Sequence, residues 1–351
     1  MLASSALTIR PYRVDDEHEL VELFARAFGH PVTEEHWRWK LRSRPSSIEN
    51  VWLAVAEDKP VFQYAGIPTP FWLGQTAVTG MVSVDTMTAP EFRRRGLLTQ
   101  VAGRVYAAWR EAGVAFVIGL PNEQWGSRAR VLGWRPLFPL QWLVRPLRPE
   151  AILARRLRAP SLKRATFAGV LWNRFLQSRV RRDPQIQTES IASADEAFDQ
   201  IWAACKSDWM FSTVRNREWV NWRFLSAPAR GYQVTLARRA GRPTGYSAYR
   251  VTTARDYLSA SLAELFAPRA DGATRDCLLH ELIERLLSAR VEALFTLAVP
   301  GTGYFRWLRG AGFLPRQRFS VELVPLSPEL PLDRMLDPEH WNLSGADFDV
   351  I

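Results

Sequence analysis

The chain has 351 residues, 47% of them apolar, with 15 Trp and a formal charge of +10. That length supports two domains of ordinary size, and the basic balance suits an anionic ligand, nucleic acid or a membrane surface. Two cysteines (Cys205 and Cys277) and five scattered histidines give no disulfide framework or metal-ligand spacing, and no leader or membrane-length apolar run is visible, so a soluble cytoplasmic protein without a metal is expected.

In chain order, Leu7 to Arg10 reads as a strand and residues 15–28 as an amphipathic helix carrying Leu20, Leu23, Phe24 and Ala27. Thr33 is placed to N-cap a second helix, with Glu34 and Glu35 in its first turn, that stops before Pro45. Residues 51–57 and 61–73 form a hairpin across Asp58-Lys59, and a strand over 78–88 follows. Then come a helix over 97–111, a strand over 114–120, a short helix opening at Asn122 and ending at Gly133, and a strand over 138–144.

Between the strand ending at Thr88 and the helix starting at Leu97 lie three arginines and Gly96. A strand that enters a basic, glycine-containing turn and then a helix aims backbone N–H groups at one point, backed by the positive end of the helix dipole, which suits a pyrophosphate. The plain alternative is a solvated basic turn capping a helix. There is no G-x-G-x-x-G and no P-loop. Arg93-Arg94-Arg95-Gly96-Leu97-Leu98 resembles the acyl-CoA loop of GNAT acetyltransferases, [RQ]-x-x-G-x-[GA], and departs from it only at the last position. Its wording is similar to that of tandem-GNAT proteins of the Eis (enhanced intracellular survival) type, and the order β-α-α-β-β-β-α-β-α-β over 7–146 is the GNAT order. The resemblance implies an α/β (α+β) class of tandem GNAT folds, each a mixed, mostly antiparallel twisted sheet flanked by helices.

Residues 145–183 hold ten Arg and one Lys against Glu150 and Asp183, with apolar residues at helical spacing (Ile152, Leu153, Leu157, then Phe167, Val170, Leu171, Phe175, Leu176). Two basic amphipathic helices are expected there. They read either as a connector with its apolar face on the core, or as a contact for a membrane surface or acidic partner. From Thr188 the pattern restarts: Trp39/Trp222, Pro90/Pro268 and Pro121/Pro300 stand 183, 178 and 179 residues apart, as in a duplicated fold. The second copy has Ala267-Pro268-Arg269-Ala270-Asp271-Gly272 where the first has its arginine loop, so it is expected to be degenerate. The resulting division is 1–146, an acyl-CoA-binding domain; 147–186, a basic connector; 187–328, a degenerate domain; and 329–351, a tail. The tail has no period; it reads as a frayed end or as a segment that brings carboxylates to a cleft. In Eis-type proteins the C-terminal carboxylate serves the active site, behind a further sterol-carrier-like domain for which this chain has no room.

Acetyl transfer to an amine needs a base for the ammonium proton, a hydrogen-bond donor for the thioester oxygen and a proton for the leaving thiolate. The resemblance implies acetyl-CoA as acyl donor, with main-chain contacts from Thr86, Met87 and Thr88 to its pantetheine arm. It also implies pyrophosphate on the N–H groups of Arg94, Arg95, Gly96, Leu97, Leu98 and Thr99, counter-charge from Arg93 to Arg95, and Asn122 and Glu123 touching the arm from the other side. Asp85, on one face with Ser83 and Met87 by strand alternation, is the first candidate base and Glu123 the second. Each has a plainer reading: a strand-end carboxylate satisfied by a neighbour, and a first-turn helix acid. Many GNATs place a general-acid Tyr where this chain has Ala129. Trp37, Trp39, Trp52, Trp72, Trp125, Trp219 and Trp222 wall a cleft or fill the core. The leading expectation is an N-acetyltransferase acting on a small-molecule or peptide amine, with no nucleic-acid partner. The alternative is a non-catalytic CoA-binding or scaffold protein whose basic connector meets an acidic partner or membrane surface.

Overall fold

The computed structural model describes residues 7–121, 125, 128–159, 161, 166–254 and 257–348. The chain divides into two compact units, and neither is contiguous in sequence: Met1–Phe138 with Ser320–Leu336, and Pro139–Phe319 with Asp337–Ile351. The sequence order suggests divisions at 146, 186 and 328, whereas packing returns residues 320–336 to the first unit.

Unit 1 runs β1 (Thr8–Pro11), α1 (Glu17–Phe28), α2 (Glu34–Arg42), β2 (Val51–Ala56), β3 (Lys59–Leu73), β4 (Ala77–Thr88), α3 (Leu97–Glu111), β5 (Phe116–Gly119), α4 (Arg128–Val131) and the start of β6 (Arg135–Pro146). β1 to β4 pair in sequence order and antiparallel, β4 pairs parallel with β5, and β5 pairs antiparallel with Glu322 to Pro325. Local chemistry sets the helix ends: Thr33 Oγ1 accepts the His36 N–H at 3.1 Å, as its cap position predicts. Helix α3 buries Val101, Val105 and Trp109, spaced i, i+4, i+8, on the sheet. The indole of Trp109 packs so closely on β3 that a Cβ at Gly66 would stand 2.8 Å from it. Burying such side chains contributes about 1.5–3 kcal/mol each, and the close approach needs glycine.

Unit 2 contains the rest of β6, then α5 (Pro149–Arg156), α6 (Thr166–Gln177), β7 (Ile186–Ile191), α7 (Glu196–Cys205), β8 (Phe211–Thr213), α8 (Arg217–Val220), β9 (Tyr232–Arg239), β10 (Arg242–Ala254), β11 (Tyr257–Phe266), α9 (Gly272–Ser288), β12 (Ala293–Ala298), α10 (Gly303–Gly310) and the first half of β13 (Leu314–Pro325). Its sheet runs β6-β12-β11-β10-β9-β7, with only the β12–β11 pair parallel. Leu278, Leu282, Ile283 and Leu286 of α9 pack with Leu262, Leu294 and Phe313 in its core. From β7 onward the element order repeats that of unit 1, apart from the added β8.

Two expectations change here. The tail is no frayed end: after α11 (Leu332–Met335), β14 (Trp341–Asn342) pairs parallel with β8, and Trp341, Leu343, Ala346 and Phe348 are buried. In the connector, Leu176 is buried, but Leu153, Leu157, Phe167, Val170, Leu171 and Phe175 are exposed, so the periodic apolar set does not face the core. Trp37, Trp39 and Trp219 are core residues, while Trp52, Trp72, Trp125 and Trp222 are half-buried.

Candidate functional site

In unit 1, β4 and β5 pair only from Gly80↔Phe116 to Val82↔Ile118. They are still close at Ser83, whose carbonyl oxygen lies 3.6 Å from where a Gly119 Cβ would sit. Beyond that point β5 ends while β4 continues to Thr88, held on its other edge by β3 as far as Thr88↔Phe62. The β5-side edge of β4 therefore opens into a split. At the split β4 carries a bulge: Asp85 has φ 46°, and the register slips so that Asp85 and Thr86 together face Tyr64. The extra residue changes the side-chain phase. Ser83 pairs with Gly66 and Met87 with Gln63, three apart on β3, so Ser83 and Met87 project to opposite faces. The expected shared face of Ser83, Asp85 and Met87 is thus corrected: alternation holds only where no residue is inserted.

The loop after β4 is built from backbone conformations that free its amides. The Ala89 N–H donates to Val61 O at 2.8 Å, and Pro90–Phe92 form a single 3-10 turn. Arg94 has φ 64° and Gly96 φ 77°, both left-handed. Helix α3 then starts at Leu97 with no side-chain cap, and its first internal bond is Gln100 N–H to Gly96 O at 3.2 Å. The amides of Leu97, Leu98 and Thr99 precede that first bond and carry the positive end of the dipole. Arg93, Arg94 and Arg95 are all exposed, with different attachments. Arg93 braces the loop, donating to Ala27 O at 3.1 Å and Thr88 O at 3.4 Å. Arg95 stacks on the Phe92 ring at 4.7 Å. Leu97 is buried.

Among the candidate chemical groups, Asp85 Oδ2 accepts from Lys40 Nζ of α2 at 2.8 Å, with side chains 12% and 4% exposed. Gln63 Nε2 donates to the Asp85 carbonyl at 3.0 Å, and its own Oε1 accepts from Trp37 Nε1 at 3.2 Å. Lys40 is thus one neighbour that satisfies Asp85, as the plainer reading of a strand-end carboxylate has it. Thr86 Oγ1 is buried without a hydrogen-bond partner among the described residues. Asn122 and Glu123 lie outside the described residues.

A chain of polar groups that no local motif announces runs across the same face as Ser83. Trp134 Nε1 donates to Tyr106 OH at 2.9 Å, Tyr106 OH meets Tyr64 OH at 2.7 Å, and Ser83 Oγ donates to Tyr64 OH at 3.4 Å. Burial pushes the Tyr64 phenol up to about 12 and the Tyr106 phenol well above its ordinary value, so both stay protonated at neutral pH. The Trp125 ring lies 6.4 Å from Tyr64 and 5.4 Å from Trp134. Ala129 is buried nearby in sequence but contributes no proton. The only sequence signal for this chain was a Tyr on the inward face of each of two apolar elements.

Unit 2 ends its parallel pair the same way and then differs. β11 pairs with β12 up to Leu262↔Thr296 and runs on to Phe266. Helix α9 is capped by Asp271, whose carboxylate accepts from Thr274 N at 3.0 Å and Thr274 Oγ1 at 2.6 Å. The turn Gly345–Asp347 from the tail packs on β11 and β12. There Arg215 is held between Glu264 at 2.6 Å and Asp347 at 2.7 Å, all three side chains at most 1% exposed. Burial pushes Glu264 above its ordinary value against the pull of Arg215. A cavity of about 200 Å³ beside Glu264 is walled by Trp209, Trp341, Tyr304 and Arg275.

Comparison with known proteins fits this layout. Residues 8–137 match the family model described as acetyltransferase (GNAT) domain. Over 92% of this chain and 74% of the other, the structure is similar to a conserved protein of Enterococcus faecalis described as a probable N-acyltransferase, at 12% identity and TM-score 0.66. It is similar to N-myristoyltransferase of Saccharomyces cerevisiae with bound myristoyl-CoA over 92% of this chain and 83% of that one, at 13% identity and TM-score 0.61. A tandem GNAT protein from the clavulanic acid biosynthesis pathway matches over 93% of this chain and 100% of its own, at 14% identity and TM-score 0.60. At such identities the likeness is one of fold: a mixed α/β fold of the tandem GNAT kind. No curated protein matches by sequence. Among the described residues, no helix is long and apolar enough to cross a membrane, and no group of three or more His, Cys, Asp or Glu side chains is arranged to hold a metal ion.

Proposed function

We propose that unit 1 binds an acyl-CoA, acetyl-CoA in the first instance, and passes its acyl group to a primary amine by direct attack in a ternary complex. The observation that carries this reading is the start of α3: an uncapped helix end behind left-handed Arg94 and Gly96, at the mouth of the β4–β5 split. In this reading the amides from Arg94 to Thr99 hold the pyrophosphate, with Arg94 and Arg95 as counter-charge and Arg93 fixing the loop. The main chain of Thr86, Met87 and Thr88 pairs with the pantetheine arm, Thr86 Oγ1 gains its missing partner, and Asn122 touches the arm from the other side.

The amine loses its proton, its nitrogen attacks the thioester carbon, and the C–S bond breaks to give an amide and a thiol. Asp85, working as a pair with Lys40, takes the ammonium proton directly or through water; Glu123 is the second candidate. The hydroxyl chain ending at Ser83 and Tyr64 supplies the proton that the leaving thiolate needs, in place of the Tyr replaced by Ala129. A thermal-shift titration with acetyl-CoA, against dephospho-CoA and ATP, tests the cofactor. Saturating ligand, about 100 times its dissociation constant, raises stability by about 2.7 kcal/mol. No shift at millimolar acetyl-CoA overturns the assignment.

One observation favours a second reading, a CoA-binding protein without catalysis: Asp85 is already engaged by Lys40. CoA release with a panel of amino sugars, polyamines and peptides separates the two. Binding without release in every case selects the second.

A further inference from the structure

Helix α6 turns its bulk outward. Its inner contacts come from Gly169, Asn173 and Leu176: Asn173 Nδ2 donates to Leu147 O at 2.5 Å, and a Cβ at Gly169 would collide with Glu150. Phe167, Leu171 and Phe175, spaced i, i+4, i+8, form a ridge on the opposite side and are 73%, 50% and 56% exposed. Val170 flanks the ridge, and Leu153 and Leu157 of the adjoining α5 segment are exposed as well. Trp172 of α6 is exposed too, and the other exposed large apolar side chains among the described residues are scattered singly along the sequence.

The charge around this ridge is mainly positive. Arg156, Arg158, Arg174, Arg179, Arg181 and Arg182 are exposed, and Arg179 stacks on the Phe175 ring at 4.6 Å. Of the neighbouring acids, Glu150 is buried, Asp183 meets Arg239 at 3.4 Å, Asp276 accepts from the Arg181 N–H at 3.4 Å, and exposed Glu284 accepts from the neutral amide of Gln177 at 2.5 Å. An anionic bilayer offers hydrocarbon to the ridge and phosphate to the guanidinium groups. A second copy suits the face less well, because a two-fold contact would bring the same arginines together with few carboxylates to offset them.

We propose that the α5–α6 face docks this protein on the surface of an anionic membrane, lying in the headgroup region. The full-length protein is sedimented with vesicles of pure phosphatidylcholine or of equimolar phosphatidylcholine and phosphatidylglycerol. Binding is expected on the anionic vesicles only and weakens as salt is raised. Leu171→Glu with Phe175→Glu, and separately Arg181→Glu with Arg182→Glu, each lower vesicle affinity about tenfold or more while the melting temperature stays unchanged, since all four side chains are exposed. No binding of wild type above the phosphatidylcholine background overturns the proposal, as does wild-type affinity in the Leu171/Phe175 variant. Light scattering that gives a wild-type dimer and a monomeric Leu171/Phe175 variant also overturns it, by assigning the face to a second copy.

Discussion

Helices α3 and α9 begin in the same local setting, downstream of a strand that has just parted from a parallel neighbour, and they acquire opposite chemistry at their N-termini. Before α3 the cap residue is Gly96, the approach is left-handed at Arg94, and no side chain takes the first-turn amides. Before α9 the cap is Asp271, whose carboxylate already accepts from Thr274. The strand split differs in the same sense. In unit 1 Thr86 Oγ1 has no partner among the described residues, whereas in unit 2 the tail brings Asp347 to Arg215 and Glu264. Two units with the same element order thus differ at the helix start, which is free of a side-chain cap before α3 and capped by Asp271 before α9.

The largest effect expected is in unit 2. Asp347→Ala leaves Arg215 with Glu264 as its one carboxylate and removes the acceptor of Thr213, and should destabilise the protein by about 3–5 kcal/mol in urea unfolding. A loss within error would mean that the tail only covers unit 2. Unit 1 is tested by Gly96→Glu, which puts a carboxylate at the proposed pyrophosphate position and strains a backbone at φ 77°. Acetyl-CoA affinity should fall at least about a hundredfold by calorimetry, and retained affinity would break the comparison. Tyr64→Phe breaks the hydroxyl chain between Tyr106 and Ser83. It should lower kcat about tenfold with KM for acetyl-CoA unchanged, whereas parallel losses in both would make Tyr64 a packing residue.

Smaller effects sharpen the contrast. Asp271→Ala uncaps α9 and should cost about 1 kcal/mol without creating an acyl-CoA site, because Arg269, the arginine of that loop, is held by Glu339. Glu264 adds a pH signature. Its carboxyl is raised by burial, so the folded state binds that proton more tightly than the unfolded chain. Stability from this group is present below the ordinary glutamate value of 4.5 and lost as pH rises through the folded-state value. Glu264→Gln should flatten that decline in melting temperature against pH.

Much of unit 1 was legible in the sequence because its signals are local. The α3 helix spans the predicted Leu97–Glu111, Thr33 caps α2, and the strand–loop–helix order put Arg94 and Gly96 at one helix end. Spacing and cap chemistry act within a turn or two, so they can be read without the fold. What stayed hidden depends on residues far apart in the chain. The bulge at Asp85 shows only in register against β3, and it moved Met87 to the opposite face from Ser83. Lys40 reaches Asp85 across 45 positions, and Tyr106 reaches Tyr64 across 42. Asp347 reaches Arg215 across 132 positions, and Glu322 to Pro325 complete the sheet beside β5. Periodicity gives the apolar set of α6 its spacing but not its direction. The packing of Gly169, Asn173 and Leu176 against the body decides that Phe167, Leu171 and Phe175 face away from it, because a helix has one inner side and its neighbours choose which.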